Sequence, residues 1–257
     1  MMSGYLTQVW AVADAEARKL LHDPWELASR AVQPVLWLVL FGKVMAQVRG
    51  LSPGNVPYID FLAPGILAQS VLFVAIFYGI SAIWERDLGV LHRYLASPAP
   101  RSALVTGKAL SSSVRALSQA IVIYLCAAVM GVHLSHAPGH IALAILLVIL
   151  GAALFATFSL IIACIVRTRE RFMGIGQVLT MPIFFASNAI YPICLMPRWL
   201  GIVSSANPLT YEVDGLRALM LSAGSSAYGI GHDVAVLVAA AALTIAIATR
   251  MYPRMTQ

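Results

Sequence analysis

From Ala31 onward the chain alternates long apolar runs with short polar interruptions. Each run approaches the roughly 20 residues that a helix needs to cross a hydrocarbon core. The pattern predicts six spans. The first covers residues 29–48, with Pro34 as a tolerated break and Lys43 and Arg49 able to snorkel from its outer end. The second covers 58–83 and carries no charge after Asp60. Between Arg115 and Arg167 lie about fifty residues without Asp, Glu, Lys or Arg, too many for one span. The segment "GVHLSHAPGH" at 131–140 divides them, so the third span runs from about residue 104 to this loop and the fourth from it to "RTRER". The fifth covers 172–190 and the sixth 231–249.

Three segments depart from plain spans. In residues 1–28, Leu6, Val9, Ala13, Ala17 and Leu20 recur at helical spacing opposite a polar side, and Trp10 and Trp25 suit a headgroup layer. This predicts an amphipathic helix lying on the membrane. "WERDLGVLHRYLASPAP", residues 84–100, sits between the second and third spans. Leu88, Leu91 and Leu95 form an apolar stripe, Glu85, Arg86, Asp87 and Arg93 occupy the remainder, and Pro98 and Pro100 stop the helix. Residues 191–221 contain Pro192, Pro197 and Pro208 together with Glu212, Asp214 and Arg217. They are apolar enough to enter a bilayer and too interrupted to cross it, which predicts a re-entrant helical hairpin packed against protein. Asn207 is placed to cap its second helix, with Pro208 at the first helical position. Leu209, Val213, Leu216 and Met220 then share a face, and Asp214 and Arg217 are spaced to pair.

Composition agrees with a membrane bundle. The chain of 257 residues is 60% hydrophobic and 11% charged, with mean hydropathy +0.83, where soluble domains carry roughly 25% charged residues. The net charge of +6 changes the picture only through its distribution. With the N-terminus inside, 13 of the 17 Lys and Arg residues fall on one side, leaving Lys43, Arg49, Arg198 and Arg217 on the other. Both termini and residues 84–100 are then expected in the cytoplasm. The basic residues are scattered among spans and form no nucleic-acid stripe. No cleavable signal peptide is expected, since the first thirty residues are rich in charge and lack an apolar core.

The chemistry of catalysis is missing. Cys126, Cys164 and Cys194 show no metal-ligand spacing, so a metal site is not expected. There is no HExxH or GxSxG. "VTGKAL" has a Gly-Lys pair, but Ser102 and Ala109 occupy the positions where a phosphate loop needs Gly and a hydroxyl. Span interiors offer Ser, Thr, Gln, Asn and Tyr rather than the acids of ion-coupled transporters. Energy for transport must therefore come from a partner, and residues 84–100 read as its docking element.

At this point the chain resembles the membrane subunits of ABC-2 type exporters, and among them most closely the daunorubicin- and multidrug-export permeases. The resemblance rests on "ERDLGVLHRYLASPAPRSALVTGKAL" and on "SNAIYPICLMPRWLGIVSSANPLTYEVDGLRALML". It implies an all-α, polytopic, single transmembrane domain spanning 1–257, with residues 84–100 as the coupling helix and 191–221 as the outer hairpin. It implies two ATPase subunits, which bind ATP and Mg, and a second permease copy or paralogue. Glu85, Arg86, Leu88, Gly89, Leu91, Arg93 and Leu95 would touch the ATPase. Phe73, Phe77, Tyr78, Phe184, Phe185, Asn188 and Tyr191 would line the dimer interface and the path of a small amphipathic substrate. The expected activity is export of drug- or antibiotic-like molecules across the inner cell membrane. Export of a lipid or lipid-linked glycan is the alternative, and a channel or scaffold without an ATPase is a third reading.

Overall fold

A computed structural model describes residues 14, 18, 29, 32–45, 56–90, 100–166 and 168–253. Eight helices account for most of them: α1 (Val32–Met45), α2 (Tyr58–Asp87), α3 (Arg101–Val129), α4 (Pro138–Ile165), α5 (Arg169–Phe185), α6 (Arg198–Ala206), α7 (Pro208–Met220) and α8 (Ile230–Met251). Among the described residues the extended structure is a single antiparallel bridge, Leu134 to Leu221. Four helices, α2, α3, α4 and α8, are long and apolar enough to cross a membrane. The segments expected as the first and fifth spans contain the shorter helices α1 and α5, of 14 and 17 residues. Most of the amphipathic helix expected at 1–28 lies outside the described residues. Asp14 and Arg18 are both helical and pair at 2.8 Å across one turn.

The elements start and stop where local chemistry requires. Pro138 occupies the first turn of α4, where its missing N–H costs nothing. Thr168 caps α5 by accepting from the Arg171 N–H. The fifth helix ends at Phe185, five residues before the expected limit of 190, and Pro182 lies in its last turn. The following residues form a buried turn in which Ser187 donates to the Phe184 carbonyl.

α4 stands at the centre and packs against α2, α3, α5, α7 and α8. Its partner α2 is similarly enclosed, whereas α3 and α8 turn one face outward. Leu62, Ile66, Leu72, Leu147, Val213, Leu216 and Leu237 belong to one core cluster. A second cluster, with Ile83, Val105, Leu160, Phe172 and Tyr252, closes the end nearer residues 88–100. Outward-facing Ile121, Leu125, Val129, Leu243 and Ile247 leave a band of apolar side chains that water would not favour.

The segment expected as a hairpin contains two helices, α6 and α7, joined at Asn207. Asn207 caps α7 as expected: its carbonyl oxygen accepts from the Leu209 N–H at 3.0 Å, and its amide donates to the Ile183 carbonyl at 2.6 Å. Leu209, Val213, Leu216 and Met220 are all buried. The expected Asp214–Arg217 pair does not form. Arg217 turns away, lays its guanidinium 3.9 Å from the centre of the Phe61 ring and donates to the Asn188 carbonyl at 2.8 Å. Asp214 instead accepts from Ser226 and from the backbone N–H groups of Ala227 and Tyr228. Spacing of i, i+3 permits a pair, but three donors in the following loop meet the carboxylate more completely than one cation would.

Candidate functional site

Two neighbouring cavities run along one face of α2 and share Val74 and Phe77 as lining. Gln69, Phe73 and Phe77 recur at i, i+4 and i+8, so helical geometry alone aligns them. The first cavity, of about 400 Å³, receives Gln33 from α1, Gln69 from α2, Gln119 from α3 and Gln177 from α5. Phe73 and Phe77, with ring centres 6.1 Å apart and stacked, form its apolar wall. The second, of about 550 Å³, continues past Tyr78 and Ser81 to Trp84 and Arg115.

The expected pathway residues divide. Phe73, Phe77 and Tyr78 line this double cavity. Phe185 and Tyr191 line neither cavity: Phe185 is exposed, and half-buried Tyr191 donates its hydroxyl to the Phe185 carbonyl. Nor do Phe184 and Asn188 line either one. Phe184 is fully enclosed, with its ring centre 6.2 Å from that of Trp37, edge to face. Asn188 is buried in the turn after α5, where its carbonyl holds Arg217. Adjacent residues on a helix point about 100° apart, so Phe184 and Phe185 cannot share one exposed face.

The expected docking segment is also redistributed. Trp84, Glu85, Arg86 and Asp87 are the last turn of α2, which continues past the expected limit of 83. Nothing in "IWERD" breaks a helix; Gly89, at φ +71°, does, because that left-handed conformation is cheap only for glycine. The stripe through Leu88 is therefore not one uninterrupted helix. Leu88 sits in the turn, 70% exposed, and Leu91, Arg93 and Leu95 lie outside the described residues. Glu85, expected to face a partner, pairs with the buried Lys108 of α3. Arg86 is half-buried and contacts Asp87.

A second ionic contact joins α2 to α5 at this end. Arg169 donates to Asp87 through two nitrogens, at 2.8 and 3.1 Å, and its guanidinium stacks 3.6 Å from the centre of the Trp84 ring. Burial would raise the Asp87 carboxyl, but the hydrogen bonds and charges of Arg86 and Arg169 hold it below its usual range. Arg169 thus ties the start of α5 to the end of α2.

At the opposite end, Ser135 donates its N–H to the Met220 carbonyl and Ser222 to that of His133. The loop after α3 is thereby zipped to the end of α7. Tyr58 anchors α2 to the Ile190 carbonyl at 2.9 Å. Tyr228, in the loop held by Asp214, has its phenol pushed up by burial first, then by Tyr211 and the Asp214 and Asp233 carboxylates.

The sequence profile of the ABC-2 type transporter family matches residues 7–221, a span that includes α1 to α7 and both cavities. The chain belongs to the ABC-2 type transporter family. It is 31% identical over 205 residues to the transport permease ycf38 of Cyanophora paradoxa, covering 78% of this chain and 70% of that protein. Against the daunorubicin resistance ABC transporter permease protein DrrB1 of Streptomyces coeruleorubidus it is 22% identical over 220 residues, covering 85% and 75%. Nodulation protein J of Rhizobium meliloti is 26% identical over 231 residues, covering 86% and 83%. An ABC-2 permease is a multi-pass membrane subunit, and membership implies an ABC ATPase as its partner. The glutamines were not singled out from the sequence. The available signal was an amide in the interior of each of several spans, in a setting where polar groups are costly unless used.

Proposed function

We propose that this chain is the permease subunit of an ATP-driven exporter that moves amphipathic, partly apolar molecules out across the inner cell membrane. The observation that carries the reading is the double cavity along α2, with an aromatic wall and polar side chains, in a member of a family that works with an ATPase. Such a lining holds an apolar body while fixing a few polar groups. Six spans are completed by α1 and α5, and α6 with α7 dips into the bilayer from the outer side. Both termini and residues 88–100 face the cytoplasm, as the Lys and Arg distribution supports.

In this mechanism two copies of the permease, or this chain and a paralogue, assemble with two ATPase subunits that bind ATP and Mg. Leu88, Gly89, Leu91, Arg93 and Leu95 contact the ATPase, while Glu85 and Arg86 fix the segment's root. ATPase closure displaces residues 88–100. The Asp87–Arg169–Trp84 cluster passes that displacement to α5, the helix facing α2 across the cavity.

The test is recovery of the tagged chain in mild detergent with its ATPase subunit, followed by ATP hydrolysis. Co-purification that is lost with Leu91→Asp, the spans remaining folded, is expected. A chain that purifies alone without hydrolysis overturns the reading in favour of a channel or scaffold. ATP-dependent movement of a fluorescent phospholipid, without movement of any amphipathic small molecule, would shift the cargo to lipid.

A further inference from the structure

Four helices each bring one glutamine to the first cavity. Gln33 and Gln177 lie at exposed positions on α1 and α5, and Gln69 and Gln119 are buried on α2 and α3. Gln69 is 2% exposed, and its amide oxygen has no hydrogen-bond partner. Burying an amide carbonyl without a partner is unfavourable in any apolar setting, and more so where water is scarce. The neighbouring Ser70 does not relieve it, since its hydroxyl is spent on the Ile66 carbonyl at 2.8 Å. Packing alone would be served better by Leu or Met at the same volume. The amide is thus an acceptor held ready at the wall of a cavity large enough for a sugar-sized group.

The chemistry of the set narrows the ligand. An amide offers both a donor and an acceptor, so four of them match groups that also do both, above all hydroxyls. Among the described lining residues none is charged. An ammonium entering there would lose its hydration without a counter-charge, and a carboxylate would find one, Arg115, only in the adjoining cavity. Phe73 and Phe77 supply an apolar face beside the amides, suited to a ring system or chain attached to the polar head.

Resting on the exporter reading above, we infer that the glutamine-lined cavity between α1, α2, α3 and α5 is a recognition site for an uncharged, hydroxyl-rich head group, such as a neutral sugar, carried on an apolar body. Selectivity then resides in hydroxyl contacts rather than in charge. A site built to hydrogen-bond hydroxyls discriminates strongly against an analogue that lacks them, because the buried acceptor of Gln69 is then left unpaired.

Three anthracycline probes with one fluorescent body test this: daunorubicin, whose amino sugar is cationic, its N-acetylated neutral derivative, and the aglycone without sugar. Binding to the permease–ATPase complex in nanodiscs is followed by quenching of the probe. The neutral glycoside should bind at least tenfold more tightly than either of the others. Gln69→Leu should abolish its advantage over the aglycone. Gln177→Glu, at an exposed position that folding tolerates, should shift preference by about tenfold toward the cationic glycoside, the size of one charge-assisted contact. Equal binding of glycoside and aglycone, tightest binding of cationic daunorubicin, or binding of none of the three would each overturn the inference. ATP hydrolysis on the same sample reads the exporter assignment separately. A complex that retains its ATPase subunit but treats the probes alike sinks the amide site alone. A chain that discriminates the probes with no ATPase subunit keeps the site and sinks the exporter.

Discussion

Glu85 and Lys108 tie the last turn of α2 to the first turns of α3, and their separation should be costly. Lys108 is 4% exposed, and Glu85 is its charged partner. Replacing Glu85 with Gln keeps the shape and leaves an ammonium buried without a counter-charge. Breaking a buried pair by removing one member costs about 3–5 kcal/mol, whereas replacing both members by neutral groups is often neutral or stabilising. Glu85 keeps 21% of its side chain in contact with solvent, which places the loss at the lower end, about 3 kcal/mol. The assay is unfolding by SDS titration in bicelles for four chains: the natural sequence, Glu85→Gln, Lys108→Met and the double variant. Glu85→Gln should lose most, Lys108→Met less, because Glu85 can turn to water. The double variant should return to within about 1 kcal/mol of the natural chain. Additive losses, or a Glu85→Gln chain within about 0.5 kcal/mol of the natural one, would refute the reasoning and return Glu85 to the ATPase-contacting role that the family resemblance implies.

Asp214→Ala removes the acceptor of three hydrogen bonds from residues 226–228, and should destabilise by about 2–3 kcal/mol and loosen that loop, measured as thermal unfolding and hydrogen exchange; a loss below about 1 kcal/mol would mean the loop holds itself. Gly151 gives the Glu212 carboxyl its space, and neither of that carboxyl's oxygens has a hydrogen-bond partner. Gly151→Ala should therefore cost about 1–3 kcal/mol by overpacking, and Glu212→Val should suppress it in melting experiments; absence of suppression would place the clash elsewhere. Gly89→Val forces a β-branched residue into a left-handed conformation at roughly 1–2 kcal/mol and re-aims residues 88–100. Recovery of the ATPase subunit should fall while α2 to α8 remain folded, and normal recovery would count against the turn as a docking root.

Much of this protein is written in its apolar pattern. Residues 58–83, the break after residue 130 and the last span follow from hydropathy and length, because a bilayer admits few alternatives for twenty apolar residues. The Asn207 cap, Pro208 and the buried face Leu209–Val213–Leu216–Met220 were equally legible, since capping and helical period are local. Partner choice was not. Whether Asp214 meets Arg217 or the loop at 226–228, and whether Glu85 meets Lys108, depends on groups a dozen or more residues away in the chain. The same holds for Phe184 and Phe185, neighbours in sequence that the helix divides between core and surface. The cavity was the least legible element. One glutamine in a span carries little information, and only the packing of α1, α2, α3 and α5 brings four of them to the same space. Sequence determined which segments enter the membrane, through the free energy of burying them; tertiary structure decided which polar groups share that burial, through the hydrogen bonds that only a particular arrangement of helices can complete.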